Sequence, residues 1–376
     1  MTEPSVHPLP RGLVQALQLI YGDAEPDFRW ETLQRWDEGG PDPLDEVLVF
    51  ARHEPVPHWH YVGVGLTATS GPNPPLATRH GTSEEDDVDD GRGWSFELTA
   101  RLSRADHEDE PPTFMANVLQ NLARYVAETG NAFGPGHTMD LHGPIQSTST
   151  TPVGHVLCVE DPELGFAQRS ETGALDEGVD FLQIVGLTAD EAAAKKSWTA
   201  EGFSDLFVQY YPLLTTHLSR TSIFAAPDAV AALETGRTRD GSSTAGLALD
   251  VLTVRDTTAV LDRLRRRRRA VTITIGAHMV NTFCLLLPLR IGAGCSFYLE
   301  GPETRATFVP ESDVKVHEHE PADWVIGLSP DQARALSDKL LPQAGTYRVG
   351  ELPDLLFEVR ATVVRDVAGG VIETIG

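Results

Sequence analysis

The run Trp94-Ser95-Phe96-Glu97-Leu98-Thr99-Ala100-Arg101-Leu102 decides the fold class. Its five apolar residues alternate without a break against Ser95, Glu97, Thr99 and Arg101. A period of two sets Trp94, Phe96, Leu98, Ala100 and Leu102 on one face of a β-strand. The segment therefore predicts a sheet with one buried face and one wet face.

Working outward, Leu44–Phe50 and Tyr61–Leu66 read as strands, and the second sets Val62, Val64 and Leu66 on one face. Further strands are expected at Gly154–Glu160 and Asp180–Leu187. Val271, Ile273 and Ile275 alternate in another, and Phe357, Val359, Ala361 and Val363 alternate in the last. Helices are fewer. Leu13, Leu17 and Ile20 recur at helical spacing before Gly22, which predicts a short amphipathic helix that caps a sheet. After Pro111-Pro112, Met115, Leu119, Leu122 and Val126 mark a helix that stops at Gly130-Asn131. Strands with a few packed helices make the class α+β, each domain a mostly antiparallel or mixed sheet.

The chain has 376 residues, enough for two domains at the usual ~100–200 residues each. Thr235–Thr244, TGRTRDGSST, is polar and has no apolar anchor, as an exposed linker has. The expected division is therefore 1–234, a linker at 235–254, and 255–376. One echo crosses it: Ile184-Val185-Gly186-Leu187-Thr188-Ala189-Asp190-Glu191 resembles Val325-Ile326-Gly327-Leu328-Ser329-Pro330-Asp331-Gln332. Both read as a buried strand running into a capping box, T-x-x-E or S-x-x-Q. Either the two domains share a strand-to-helix unit, or such junctions arose twice.

Thirty basic against 55 acidic residues leave a net charge of −25, which repels nucleic acid and anionic membranes and favours a basic protein partner. Three scattered cysteines give no disulfide framework or zinc pair. Met1–Gly12 shows no secretory signal, and Phe283–Leu289 is far short of the ~18 residues a membrane span needs. A cytoplasmic protein is expected.

Catalytic motifs are sparse. His58 and His60 in His58-Trp59-His60-Tyr61 would point to the same side of a strand, a workable two-ligand metal geometry. The plainer alternative is two histidines hydrogen-bonded at a strand end. There is no G-x-S-x-G elbow and no phosphate loop, and Cys158 falls inside an apolar strand. An acidic run, Glu84–Asp90, and an arginine run, Arg263 with Arg265–Arg269, oppose each other in sign. The arginines end an expected helix that starts near Thr257, where the dipole favours cations. No cofactor is expected.

A set of short motifs resembles the suppressor of fused family. They are Gly39-Gly40-Pro41-Asp42-Pro43-Leu44-Asp45, His58-Trp59-His60-Tyr61, Phe96-Glu97-Leu98-Thr99 ahead of Pro111-Pro112-Thr113, Leu122-Ala123-Arg124-Tyr125-Val126, Glu160-Asp161-Pro162, and Phe181-Leu182-Gln183-Ile184-Val185-Gly186. The likeness is dense over residues 12–224 and thinner over 271–364.

The resemblance implies a non-enzymatic protein-binding clamp. Animal members hold a transcription-factor peptide as an added β-strand between two domains, whereas bacterial relatives are regarded as immunity proteins against polymorphic toxins. It implies partner contacts at Tyr125, His137, Glu160 and Asp161. His137 stands where the animal proteins have an aspartate, and this chain lacks their long insertion, so a different partner is expected. Twenty-six arginines against four lysines suit a GC-rich bacterial genome. Three readings follow: immunity to a toxin, sequestration of a transcription factor, or a metal-dependent enzyme built on His58 and His60.

Overall fold

A computed structural model describes residues 11–68, 94–165, 179–258, 269–350, 352–365 and 370–376. The chain divides into two compact units, one formed by 1–192 with 204–229 and the other by 193–203 with 230–376.

The first unit is built on a seven-stranded sheet in the order β1-β2-β3-β4-β7-β6-β5. The strands are β1 Phe28–Glu31, β2 Glu46–Arg52, β3 His58–Val64, β4 Phe96–Ser103, β5 Thr138–Asp140, β6 Val153–Glu160 and β7 Asp180–Thr188. Neighbours are antiparallel except β4 and β7, which run parallel at the centre. The helix α1, Arg11–Tyr21, ends at Gly22, whose φ of +62° suits a residue without a Cβ. Its Leu13 and Leu17 pack on Leu48, Phe50, Val62, Val64 and Phe181, each contributing on the order of 2 kcal/mol by leaving water. The helix α2, Thr113–Thr129, lies on the other face, where Met115, Leu119, Leu122 and Val126 meet Trp59, Tyr61, Leu98 and Ala100.

The expected wet face of β4 is not wet. Glu97, Thr99 and Arg101 are all fully buried, because they share the α1 side of the sheet with Val62, His60 and Gln183 through the strand register. Periodicity separated the two faces correctly, but both are covered.

The second unit holds a four-stranded sheet, β15-β16-β10-β9, and a five-stranded sheet, β13-β14-β12-β11-β8. The strands are β8 Gly246–Ala248, β9 Leu252–Asp256, β10 Val271–Gly276, β11 Phe297–Glu300, β12 Arg305–Pro310, β13 Lys315–Glu320, β14 Asp323–Leu328, β15 Gly345–Arg348 and β16 Leu355–Arg360. In chain order, the helices after α2 are α3 Ala189–Lys196, α4 Ala200–Tyr210, α5 Pro227–Asp240, α6 Ala277–Gly292 and α7 Pro330–Lys339. Phe283 of α6 touches Phe297, Phe308 and Phe357, joining both sheets in one core.

Two expectations are corrected here. Thr235–Asp240 is the C-terminal half of α5 rather than linker, and β8 lies within the remainder of the 235–254 segment. Gly236 lets the helix approach Trp198 so closely that an added Cβ would sit 2.0 Å from the indole. The final alternating run is also two strands. β16 ends at Arg360, and β17 Thr362–Arg365 pairs instead with β18 Val371–Ile375. The acidic run at 84–90 lies outside the described residues, as does the arginine run apart from Arg269, which is 3.9 Å from Glu318.

The internal echo is topological as well as sequential. In β3-β4-β7-β6 and in β11-β12-β14-β13 the successive pairings are antiparallel, parallel, antiparallel. Each echoing strand runs straight into a helix. Ser329 forms a complete capping box with Gln332. At Thr188 only the Glu191 arm is made, accepting from the Thr188 amide at 2.8 Å, while the hydroxyl donates to Asp190.

Candidate functional site

One end strand of the seven-stranded sheet is β5. His137 O accepts from Cys158 N, and Leu141 N donates to Gly154 O. By the antiparallel alternation, the main-chain groups of Thr138 and Asp140 therefore face away from β6. Such an edge is a template for another strand.

Beside it, Tyr125 leaves α2 with 36% of its surface exposed. Its ring stacks on Phe133 at 5.6 Å, and its hydroxyl accepts from Asn131 at 3.3 Å. Phe133 leads into Gly134, whose amide donates to the exposed His137 ring at 3.2 Å. Sequence-predicted Tyr125 and His137 thus flank one short loop at the mouth of β5. Asp140 on the edge faces two imidazoles, His155 at 3.6 Å and His142 at 3.9 Å.

Glu160 ends β6 and Asp161 follows it, and the structure separates them. Glu160 is exposed and its side chain lies over Gly165, where a Cβ would clash. Asp161 is corrected from partner-binding residue to internal anchor: at 1% exposure it cannot meet a partner's side chains. Its Oδ2 accepts from Arg101 and from Thr99, both at 2.7 Å. Its Oδ1 accepts from Arg101 at 3.0 Å and from the amides of Glu163 and Leu164 at 3.0 and 2.9 Å. Burial would raise this carboxyl, but the Arg101 guanidinium outweighs it and holds it well below the usual range.

Arg101 also donates to Glu163 at 2.8 Å and to Gln183, whose amide in turn donates to the carbonyls of Leu213 and Leu214 at 2.9 and 3.1 Å. Leu213 and Leu214 both have positive φ, and this hydrogen-bonding helps hold that unfavourable backbone. The network was missed from sequence; the available signal was an arginine in the polar phase of an otherwise apolar strand.

His58 and His60 do share one side of β3, as predicted. His60 meets the Tyr21 hydroxyl through Nδ1 and lies 3.4 Å from Asp161, while His58 Nδ1 bonds the Val56 carbonyl at 2.8 Å. Burial lowers both, His58 to about 4, and Arg101 further disfavours charge on His60. Among the described residues no group of three or more His, Cys, Asp or Glu is arranged to hold a metal ion. His60 joins the anchor beneath α1, while His58 is tied to the chain just ahead of β3. Glu97, fully buried on the same face, accepts from the amides of Gly65, Leu66 and Thr67 and from the Thr67 hydroxyl, and burial pushes it up to about 7. No helix among the described residues is long and apolar enough to cross a membrane.

Residues 40–221 match the family described as Suppressor of fused protein (SUFU). Suppressor of fused homologs of Mus musculus and Homo sapiens are each 32% identical over 240 residues, which is 61% of this chain and 47% of theirs. The chain thus spans about half the length of these relatives. The crystal structure of Drosophila Suppressor of Fused superposes with a TM-score of 0.72 at 21% identity, covering 96% of this chain and 99% of that one. The fold is shared across both units.

Proposed function

Over residues 40–221 this chain is a member of the suppressor of fused family, and on that premise we propose that it is a non-catalytic protein-binding module that sequesters a partner protein. The observation that carries this reading is the terminal place of β5 in the sheet, with the main chain of Thr138 and Asp140 facing away from β6 and Tyr125 and His137 beside it. A partner segment adds to β5 as a further strand. Main-chain hydrogen bonds supply affinity and the side chains beside the edge supply selectivity. Glu160 reads a basic group on the partner, while Asp161 holds the turn that presents it.

The net charge of −25 selects a basic partner and speeds its approach. The partner class we favour is a polymorphic toxin, with the chain acting in the cytoplasm as its immunity protein. The test is capture of partners by the tagged chain at low and high salt, with identification by mass spectrometry, followed by binding measurements on the purified partner. A basic toxin domain whose affinity falls with Thr138→Pro, which removes an outward N–H while leaving the β6 ladder intact, supports the reading. A captured transcription factor overturns the immunity assignment. Unchanged binding by Thr138→Pro overturns strand addition at β5.

A further inference from the structure

From Asn131 to Val159, the stretch that supplies β5 and nearly all of β6, the sequence holds one Asp, Glu, Lys or Arg, and it is Asp140. In a chain that is 23% charged, such isolation makes the position of that carboxylate informative. Asp140 ends β5, is exposed, and stands opposite His155 with its main chain facing away from β6. Its carboxylate is held in place: Oδ1 accepts from the His142 amide at 2.8 Å. Oδ2 faces His155 Nε2 at 3.6 Å and His142 Nδ1 at 3.9 Å, both too long for a hydrogen bond. Among the described residues no lysine or arginine pairs with it.

The register fixes what a further strand would meet there. In an antiparallel addition to β5, the residue directly opposite Asp140 exchanges both outward main-chain hydrogen bonds with it. The two side chains then stand on one face, with Cβ atoms about 4.5–5.5 Å apart, close enough for an ion pair. The residues before and after it in the added strand face the other side of the sheet. On that side Met139 and Leu141 pack against the core that α2 covers, so both flanking positions gain by being apolar.

We propose that Asp140 is the specificity-determining residue of this edge, selecting partner strands that place an arginine or lysine opposite it between two apolar residues. This selectivity rests on strand addition at β5 and gives that addition its sequence preference. A lone charge on an end strand can equally serve to repel other strands, and the two roles part on charge reversal: a selector changes its preference, a repeller does not.

A phage library displaying short random peptides is selected on the immobilised full chain, and the enriched peptides are synthesised and titrated by fluorescence anisotropy. Wild type should enrich peptides with an apolar residue on each side of an arginine or lysine. Asp140→Lys should enrich aspartate or glutamate at that place, and should bind a peptide selected on wild type about tenfold more weakly, as reversal of one directly opposed charge pair gives. Asp140→Asn, which keeps an acceptor for the His142 amide, should lose the preference without reversing it. Because a net charge of −25 attracts any cation, Glu303→Lys is the control: it makes an equal change of charge at an exposed site in the second unit and should keep the wild-type motif. The same motif on Asp140→Lys as on wild type, or an equal shift with Glu303→Lys, overturns Asp140 as selector and leaves strand addition standing. Peptides that bind Thr138→Pro as well as wild type, or no motif on wild type, overturn strand addition at β5 and the selector with it.

Discussion

Replacing Asp161 by alanine decides between an anchor and a partner-reading group. The substitution removes both oxygens held by Arg101 and the acceptor for the Glu163 and Leu164 amides. The guanidinium stays buried with only Gln183 and Glu163 to accept from it. Breaking a buried pair by deleting one partner costs about 3–5 kcal/mol. Glu163 retains part of the compensation, which places the expected loss near the lower end, about 3 kcal/mol. At about 2–4 °C per kcal/mol for a unit of this size, the first unit's melting transition falls by about 10 °C, while the second unit's stays in place. Differential scanning calorimetry at pH 7 reads both. The double variant Arg101→Met with Asp161→Ala should lose less than the two single losses combined, by about 2 kcal/mol, because the orphaned charge is gone. The folded-state pKa of Asp161 lies below its ordinary value, so its contribution is full above that value and is lost as pH falls through the folded one. The deficit of Asp161→Ala therefore shrinks in strong acid. A first transition displaced by less than 2 °C at pH 7 would refute the anchor and return Asp161 to the surface.

Glu97 has the opposite sign: with its pKa raised to about 7, it favours the folded state below about 4.5 and loses that contribution as pH rises through about 7. Glu97→Gln should therefore gain melting temperature relative to wild type between pH 5 and pH 8, and a constant difference would count against the buried carboxyl. Gly236→Ala drives a methyl group into Trp198 and should cost the second unit about 1–3 kcal/mol, read as a drop in its transition alone. Glu191→Ala strips Arg220 of its paired carboxylate and the Ile223 and Thr188 amides of their acceptor, and should cost the first unit about 3–5 kcal/mol in urea unfolding.

Where a segment's own periodicity marked the element, the sequence was legible. The helices capped by Gly22 and Gly130 and the strands at β4, β6, β7 and β10 appear where alternation or helical spacing places them. What escaped was decided by partners far along the chain. Arg101 reads as solvent-facing because nothing within the strand announces a carboxylate sixty residues away. Thr235–Asp240 reads as linker because it has no apolar anchor, and its close approach to Trp198 is made by Gly236, which contributes no hydrophobic periodicity. Of the four expected partner contacts, Tyr125, His137 and Glu160 are at the surface, whereas Asp161 and its chain neighbour Glu160 have opposite fates because successive residues at a strand end face different ways.

The parallel pairing of β4 with β7 also dictates an order of assembly. Hairpin partners such as β2 and β3 meet across a short turn, but β4 and β7 are joined only after α2, β5 and β6 have intervened. Closing that long loop is entropically unfavourable until the contacts on both sides exist. Arg101 must therefore remain hydrated through the early stages and shed its water in the same step that delivers Asp161. Pairing across the centre of the sheet therefore waits on β7, and a chain stalled before that step exposes two unpaired strand edges to any neighbour.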